Sequence, residues 1–258
     1  MTMMTLDDVF NDLSRVALTA HRGASHSCPE NTIPAMERAV ACGADFIEFD
    51  LRTTADGVPV LLHDSTIDRT SDGTGRPEDH TLAGLKEFNF SWFAGGARLE
   101  KPIFGRLEIP TFEDVLAAFR GRVCMNVQMY TEGAGLDAVC ALYRRYEMFD
   151  HAYLTIADWS VAERVRRIDP RIEICMTPGW HERASPENLR RCREFGCRFV
   201  QPVRDAVNAE TVELCRRLGL RENVFYADTP EDFRRLRDMG VRGIMTNRPE
   251  ELAALGRG

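Results

Sequence analysis

Residues 17–51 read ALTAHRGASHSCPENTIPAMERAVACGADFIEFDL, and they contain the pattern that recurs along the chain. A short apolar run at 17–20 is followed by a polar turn, then by residues with helical spacing, then by a second apolar run at 46–51. Short apolar runs predict buried strands, and the helical spacing between them predicts a connecting helix. The stretch therefore predicts one strand–helix–strand unit of a parallel sheet.

The same alternation continues to the end of the chain. Ser185 and Thr229 each precede a proline and predict helix N-caps, while Gly196, Gly219 and Gly240 stand where helices stop. Together with the first two, the runs make eight, the number that closes a barrel, so we expect an α/β protein with a (β/α)8 TIM-type barrel. An open doubly wound sheet is the alternative. The six further apolar runs lie at 123–129, 152–156, 172–176, 199–203, 224–227 and 243–246.

The composition excludes several classes of protein. The 258 residues include 33 Lys plus Arg against 40 Asp plus Glu, a formal net charge of -7, whereas a nucleic-acid binder shows a basic face. A hydrophobic share of 44% predicts a soluble globule, here one domain over 1–258. No apolar run approaches the ~20 residues of a membrane span, and the acidic start is unlike a signal peptide, so we expect a cytoplasmic protein. The eight cysteines form no C-x-x-C pair, which predicts buried thiols.

Two segments depart from the strand–helix pattern. The apolar run at 58–63 follows the second strand too closely for a parallel crossover, and Asp56-Gly57 is a strong hairpin signal. A two-residue turn there would pair Ala55 with Val58 and place Asp50 opposite His63. The second segment, about 65–110, is rich in Gly, Pro and aromatic residues, and predicts a small insertion over the barrel opening.

Two acids on the second strand are the first candidates for a functional site. Glu48 and Asp50 are two residues apart, so strand alternation places both carboxylates on one face. Active sites of such barrels lie at the carboxyl ends of the strands. Two converging carboxylates are explained by one bound divalent cation, Mg2+ or Ca2+. The alternative is that both acids face solvent on an exposed edge.

Two histidines stand at predicted strand ends near this carboxylate pair. His21 follows the first strand, and His63 ends the hairpin run. Phosphodiester cleavage needs one group to remove a proton from the nucleophile and another to protonate the leaving oxygen. Histidine suits both roles near neutral pH, and a cation would neutralise the phosphoryl charge. The four residues together predict phosphodiester chemistry.

A series of motifs resembles the glycerophosphodiester phosphodiesterase family, over residues 17–252. The resemblance implies a phospholipase-C-like barrel with one divalent metal, which hydrolyses glycerophosphodiesters to glycerol 3-phosphate and an alcohol. The motifs are HRG at 21–23, PENT at 29–32, GADFIEFD at 43–50, DG at 56–57, HD at 63–64, RT at 69–70, GTG at 73–75, IPT at 109–111 with Glu113, and GIMTNRP at 243–249.

The resemblance also implies roles for individual residues. In such enzymes a glycerol hydroxyl attacks phosphorus through a cyclic intermediate, which fits a mechanism with two imidazoles. Asn31, in the PENT element, would hold the first loop or touch the metal shell. The remaining roles are the acid/base pair His21 and His63, the metal ligands Glu48 and Asp50, and the phosphate contact Arg22.

Two single positions and one four-residue stretch depart from the family pattern. Gln128 stands where the family has a third metal-ligating Glu, and Tyr130 stands where it has a Lys. Gln128 keeps a carbonyl oxygen for a hard cation but removes one negative charge, and Tyr130 keeps a donor for the substrate without the positive charge. Phe225 is the first residue of the stretch FYAD, which stands where the family has WTVN. This stretch lies where the alcohol half of the substrate would be recognised.

These departures leave three functions open. The first is an active metal-dependent phosphodiesterase with a small-molecule diester as substrate. The second is a weakly active or non-hydrolysing member that binds or regulates. The third is a phosphodiesterase for another diester, such as a sugar phosphodiester or a lysophospholipid.

Overall fold

A computed structural model of the chain describes residues 3–102, 104–131 and 133–256, and these form a closed parallel barrel. The strands are β1 (Ala17–Ala20), β2 (Phe46–Thr53), β3 (Pro59–Leu61), β4 (Phe93–Ala94), β5 (Ala97–Arg98), β6 (Cys124–Met129), β7 (Ala152–Ile156), β8 (Glu173–Met176), β9 (Phe199–Val200), β10 (Arg221–Val224) and β11 (Gly243–Thr246). The helices are α1 (Leu6–Asn11), α2 (Ile33–Ala41), α3 (Leu82–Leu85), α4 (Phe112–Phe119), α5 (Gly133–Arg145), α6 (Trp159–Ile168), α7 (Pro186–Glu194), α8 (Ala209–Leu218), α9 (Pro230–Asp238) and α10 (Pro249–Leu252).

The sheet order confirms the barrel and excludes the open sheet. Parallel strands follow one another as β1, β11, β10, β9, β8, β7, β6 and β2, and the pairing of β1 with β2 closes the ring. Helices begin where predicted: Ser185 caps α7 and Thr229 caps α9, each by accepting a hydrogen bond from a main-chain N–H in the first turn. Gly219 ends α8 with a φ of 67°, the left-handed conformation expected of a C-terminal glycine.

The seventh barrel strand lies earlier than predicted. The prediction was 224–227, whereas β10 spans Arg221–Val224. Glu222 and Asn223 interrupt the apolar pattern, yet both are buried. Glu222 accepts a hydrogen bond from the Arg242 amide, and Asn223 donates to Thr19 and Tyr153 inside the barrel. Polar residues with internal partners can occupy a strand that an apolar search does not recognise.

The hairpin forms, but its predicted register was wrong by one residue. Leu51 pairs with Leu61, which places Asp50 opposite Leu62 and not opposite His63. The Thr54 amide donates to the Val58 carbonyl, so the turn contains three residues, 55–57, where two were predicted. The third of these, Gly57, has a φ of 81°, as the three-residue hairpin turn requires.

The barrel interior changes character from its amino end to its carboxyl end. At the amino end, Phe10 of α1 packs against Phe46 and Phe199, so α1 closes the bottom of the barrel. Above this apolar layer, Asn126 donates to Gln201 and accepts from Thr155. The carboxyl end, which we call the mouth, therefore rests on a polar layer whose members satisfy one another.

Residues 65–110 form short elements over the side of the mouth, with a small apolar core of their own. Phe90, Ile67 and Leu85 are buried together with Leu62, and Phe88 packs on this cluster. Trp92 and Phe93 lie beneath the guanidinium groups of two arginines. These aromatic residues therefore serve the packing of the segment.

From the sequence we expect buried cysteine thiols and no apolar run long enough to span a membrane. Among the described residues, none of the helices combines the length and apolar character that crossing a bilayer requires. Seven of the cysteines are buried as thiols, at positions 28, 124, 140, 175, 192, 197 and 215.

Candidate active site

Two carboxylates of β2 face the inside of the barrel. Glu48 and Asp50 are 3% and 1% exposed, while Ile47, Phe49 and Leu51, which alternate with them, pack in the apolar layer under the helices. The alternative that both acids lie on an exposed edge is therefore wrong. Because Asp50 lies near the carboxyl end of β2, both acids point into the mouth, where barrel enzymes place their chemistry.

His21 is held beside Glu48 in a defined orientation. Its Nδ1 lies 2.7 Å from Asn247 Oδ1, and the Asn247 side-chain amide donates to Asp228 Oδ2 over 2.6 Å. Because the Asn247 nitrogen is committed to Asp228, its oxygen faces the histidine, so Nδ1 carries the proton and Nε2 keeps its lone pair. Nε2 lies 3.9 Å from Glu48 Oε2. Burial lowers the pKa of His21 to about 4, which keeps the ring neutral at pH 7.

Local sequence patterns did not indicate the roles of Asn247 and Asp228. Asn247 belongs to the quoted GIMTNRP motif, but no role was predicted for it. Asp228 accepts hydrogen bonds from the Thr246 hydroxyl and from the Asn247 main chain, which fixes the loop after β11. In the sequence, the only available signal was that Asp228 and Asn247 are polar residues at two neighbouring strand ends. This signal does not identify a hydrogen-bond partner for His21.

The loop after β1 brings Arg22 onto both acids. Arg22 has a φ of 56°, and its main-chain N–H donates to Glu48 Oε2 over 2.9 Å. Its guanidinium donates to Glu30 and lies 3.1 Å from Asp50 Oδ2. A Cβ on the next residue, Gly23, would come within 2.6 Å of a main-chain carbon of α2. Only glycine allows the loop to pack this closely.

Asn31 positions Asp50 from the other side. Its Oδ1 accepts from the Asp50 main-chain N–H, and its Nδ2 donates to Asp50 Oδ2 over 2.8 Å. Asn31 itself has a φ of 57°, in the left-handed region that Asn tolerates better than most residues. Both polar atoms of its side chain are thus used to hold the first loop against the carboxylate.

The electrostatics of the two acids favour a bound cation. Burial, followed by the charge of Asp50, raises the pKa of Glu48 well above its usual value. Among the described residues, none donates a hydrogen bond to the second oxygen of either acid. The same holds for the amide oxygen of Gln128. Carboxylate and amide oxygens are ligands that Mg2+ or Ca2+ accepts. Within the described ranges, no group of three or more His, Cys, Asp or Glu residues could hold a metal ion.

Gln128 and Tyr130 extend the site along β6. Gln128 is paired in register with Asp50, and its Nε2 donates to the Thr155 carbonyl over 3.3 Å, which leaves the amide oxygen for a ligand. Tyr130 is 43% exposed at the mouth, with the guanidinium of Arg52 5.0 Å from its ring centre. Burial, together with the nearby carboxylates, raises the pKa of Tyr130 to about 12, so it remains a hydroxyl donor.

His63 stands at the solvent side of the site. Its side chain is 35% exposed, its Nδ1 lies 2.7 Å from Asp64 Oδ1, and its ring packs edge-on against Tyr130 at 5.5 Å. Arg69 donates to Asp64 and to Glu30, the residue that also receives Arg22. Hydrogen bonds to Arg69 and His63 outweigh burial and lower the pKa of Asp64 to about 2. His63 is thus linked to the first loop by a continuous ionic network.

Phe225 forms the wall of the mouth opposite His63. Its ring centre lies 5.1 Å from that of His21 and 5.5 Å from that of Trp180. The structure thus places every residue predicted for the site at the mouth. Arg22 contacts both Glu48 and Asp50, and His21 Nε2 lies 3.9 Å from Glu48. Strand register and ring contacts place the other four around this group, namely Gln128, Tyr130, His63 and Phe225.

Comparison with known proteins identifies the family. A sequence model of the glycerophosphoryl diester phosphodiesterase family matches residues 21–251. The chain belongs to this family. As a glycerophosphoryl diester phosphodiesterase it falls in the class of phosphoric diester hydrolases, and the closed barrel is the architecture of its structural neighbours.

Individual relatives cover nearly the whole chain. The glycerophosphodiester phosphodiesterase of Bacillus subtilis strain 168 is 30% identical over 249 residues, which is 92% of this chain and 85% of the relative. The structure of the Agrobacterium tumefaciens C58 enzyme superposes with a TM-score of 0.80 at 26% identity, covering 93% of this chain and 99% of that one. An Oleispira antarctica phosphodiesterase, solved with the product sn-glycerol-3-phosphate, shares the fold with a TM-score of 0.80 at 19% identity, over 93% and 96% of the two chains.

Proposed function

We propose that this chain hydrolyses glycerophosphodiesters to glycerol 3-phosphate and an alcohol, by acid/base catalysis with His21 and His63. The orientation of His21 is the observation that carries the proposal. The His21 imidazole is neutral and buried, and its Nδ1–H donates a hydrogen bond to Asn247. Its Nε2 therefore presents a lone pair beside two carboxylates. Such a group can accept the proton of a hydroxyl, which is the role of a general base.

The reaction proceeds in two steps that both histidines serve. His21 Nε2 takes the proton of the glycerol hydroxyl, whose oxygen forms a bond to phosphorus. The bond from phosphorus to the leaving alcohol oxygen breaks, and that oxygen receives a proton from His63, whose Nδ1 is held by Asp64. Water then opens the cyclic phosphodiester to the phosphomonoester, and the two histidines exchange roles.

Glu48, Asp50 and Gln128 would hold one divalent cation, Mg2+ or Ca2+. When bound, this ion neutralises charge on the phosphoryl oxygens and on the attacking hydroxyl. The fit rests on the chemistry of the three oxygens and on the raised pKa of Glu48. Arg22 contacts the phosphate in the proposal and also ties Glu48 to Asp50.

A substrate panel tests the proposal. Purified protein is incubated with Mg2+ or Ca2+ and with glycerophosphodiesters, a sugar phosphodiester and a lysophospholipid, and phosphomonoester release is measured. We expect glycerol 3-phosphate from the glycerophosphodiesters, and loss of its release with a chelator. Tight metal binding without turnover of any diester would favour a binding or regulatory protein, and turnover of the other diesters alone would change the substrate class.

A further inference from the structure

Arg183, in the loop after β8, lies at the mouth without an ionic partner. Its Nε donates to the Pro178 carbonyl over 3.2 Å, and its guanidinium lies 5.3 Å from the ring centre of Trp180. No Asp or Glu among the described residues forms an ion pair with it. The other arginines around the mouth are paired with carboxylates, namely Arg22, Arg52, Arg69 and Arg204.

The guanidinium of Arg183 is partly buried beside Trp180, whose ring meets Phe225 at the mouth. Burial lowers the pKa of Arg183. A half-buried cation without a counter-charge is unfavourable, so it indicates a site completed by an anionic ligand.

Thr177 provides a second, independent indication on the same strand end. It is 1% exposed, and its hydroxyl oxygen has no hydrogen-bond partner among the described residues. Cys175 points into the barrel, while Ile174 and Met176 pack under the helices, so alternation places Thr177 on the inner face. Buried hydroxyls without partners are rare in folded proteins, and a ligand that supplies one accounts for this group.

The position of this pair relates it to the alcohol half of the substrate. In the barrel, β8 lies across from β1, which carries His21. The ring of Phe225 contacts both His21 and Trp180, so one aromatic side chain separates the histidine from the Arg183 side of the mouth. A diester bound with its phosphorus at His21 would bring its alcohol half to the Arg183 side of the mouth if that half passes Phe225.

We propose that Arg183 and Thr177 form a subsite for an anionic group on the alcohol half of the diester. The inference rests on the proposed function and adds a substrate class to it: glycerophosphodiesters whose alcohol carries a carboxylate or similar anion. Arg183 already covers a face of Trp180, so this aromatic ring cannot receive a quaternary ammonium without charge repulsion.

Two substrates that differ by one carboxylate test the subsite. Glycerophosphoserine is glycerophosphoethanolamine with a carboxylate added, so the ratio of their kcat/KM values isolates the anion. We expect the wild type to prefer glycerophosphoserine about tenfold. Arg183→Gln reduces this preference to about one, Arg183→Lys retains part of it, and Thr177→Val lowers it by about threefold. Arg190→Gln, which removes an exposed charge on the nearby helix α7, is the matched control and leaves the ratio unchanged.

The outcomes separate this inference from the proposed function. An unchanged ratio in Arg183→Gln, or an equal loss on both substrates in a variant that melts like the wild type, overturns the subsite while the phosphodiesterase activity stands. If the wild type cleaves neither diester, the proposed function fails. The subsite is then tested by calorimetric binding of the two diesters, and it is rejected unless the carboxylate strengthens binding through Arg183.

Discussion

The tautomer and orientation of His21 are set by residues more than two hundred positions away in the sequence. Asn247 lies 226 residues after His21 in the chain. Its side-chain oxygen accepts a hydrogen bond from His21 Nδ1 only because Asp228 holds the Asn247 amide nitrogen. The residues next to His21 in the sequence do not indicate this hydrogen-bond arrangement. The two strand ends that carry Asp228 and Asn247 are brought beside β1 by barrel closure, which explains why the histidine could be predicted and its support could not.

Asp228→Asn tests this support. The new side chain can still accept from the Thr246 hydroxyl, but its amide opposes the Asn247 amide, so Asn247 turns and offers His21 a donor. The histidine proton then moves to Nε2, and we expect kcat to fall by about 100-fold or more, as for other tautomer-fixing carboxylates. Steady-state kinetics against pH measures this, with the melting temperature as control. A kcat near that of the wild type would show that the relay does not orient His21.

Gln128 is tested by two substitutions with opposite expected effects. Gln128→Glu adds a negative charge to the donor set, and we expect it to tighten binding of Mg2+ or Ca2+ by about tenfold. Gln128→Ala removes the oxygen and weakens binding. Calorimetric titration of the purified variants gives both affinities. Equal affinities in all three proteins would show that Gln128 is not a ligand.

At the scale of elements, the prediction from sequence succeeded where strands are apolar and failed where they are not. The alternation of apolar runs and capped helices was enough for the (β/α)8 barrel. The strand β10 was misplaced because Glu222 and Asn223 find partners inside the barrel. The hairpin register was wrong because Gly57 makes the turn one residue longer, and a two-residue turn fits the Asp56-Gly57 pattern equally well.

The loop that carries Arg22 depends on Gly23, and Gly57 offers a matched comparison. Both glycines have a φ near 80°, so alanine costs about 1 kcal/mol of backbone strain at either position. At Gly57 the new Cβ meets open space, whereas at Gly23 it meets the main chain of Ala35 at 2.6 Å. We expect Gly57→Ala to keep full activity and Gly23→Ala to lose most of it. Full activity in a folded Gly23→Ala protein would contradict the tight placement of this loop.

At the scale of the whole molecule, buried acids shape the pH dependence of folding. Burial raises the pKa of Glu222 from its ordinary value of 4.5 to about 7. The folded chain therefore binds this proton more tightly than the unfolded chain, and its stability falls as pH rises from about 4.5 to about 7. The loss attributed to Glu222 is up to about 3 kcal/mol.

Glu222→Gln isolates this effect. Glutamine keeps an oxygen for the Arg242 amide but carries no charge, so we expect the variant to gain stability over the wild type at pH 8 and to show no gain at pH 4. Urea unfolding at both pH values gives the difference. A variant less stable than the wild type at pH 8 would contradict the raised pKa.

The net charge of -7 affects how an anionic substrate is attracted to the site. An anionic diester approaches a molecule of the same sign, so attraction must come from the mouth itself. There Arg22, Arg52 and Arg69 are already paired with carboxylates. The proposed cation at Glu48 and Asp50, and Arg183, which forms no ion pair within the described ranges, are left to attract it.

Phosphorus NMR of one reaction tests the proposed function directly. The protein is mixed with sn-glycero-3-phosphoglycerol and Mg2+ or Ca2+, and the diester resonance is followed against that of the phosphomonoester. We expect glycerol 3-phosphate to accumulate with the wild type, and to be absent with His21→Ala of wild-type melting temperature or with a chelator. An unchanged diester resonance with the metal-loaded wild type, or equal turnover by His21→Ala, would contradict catalysis by this site.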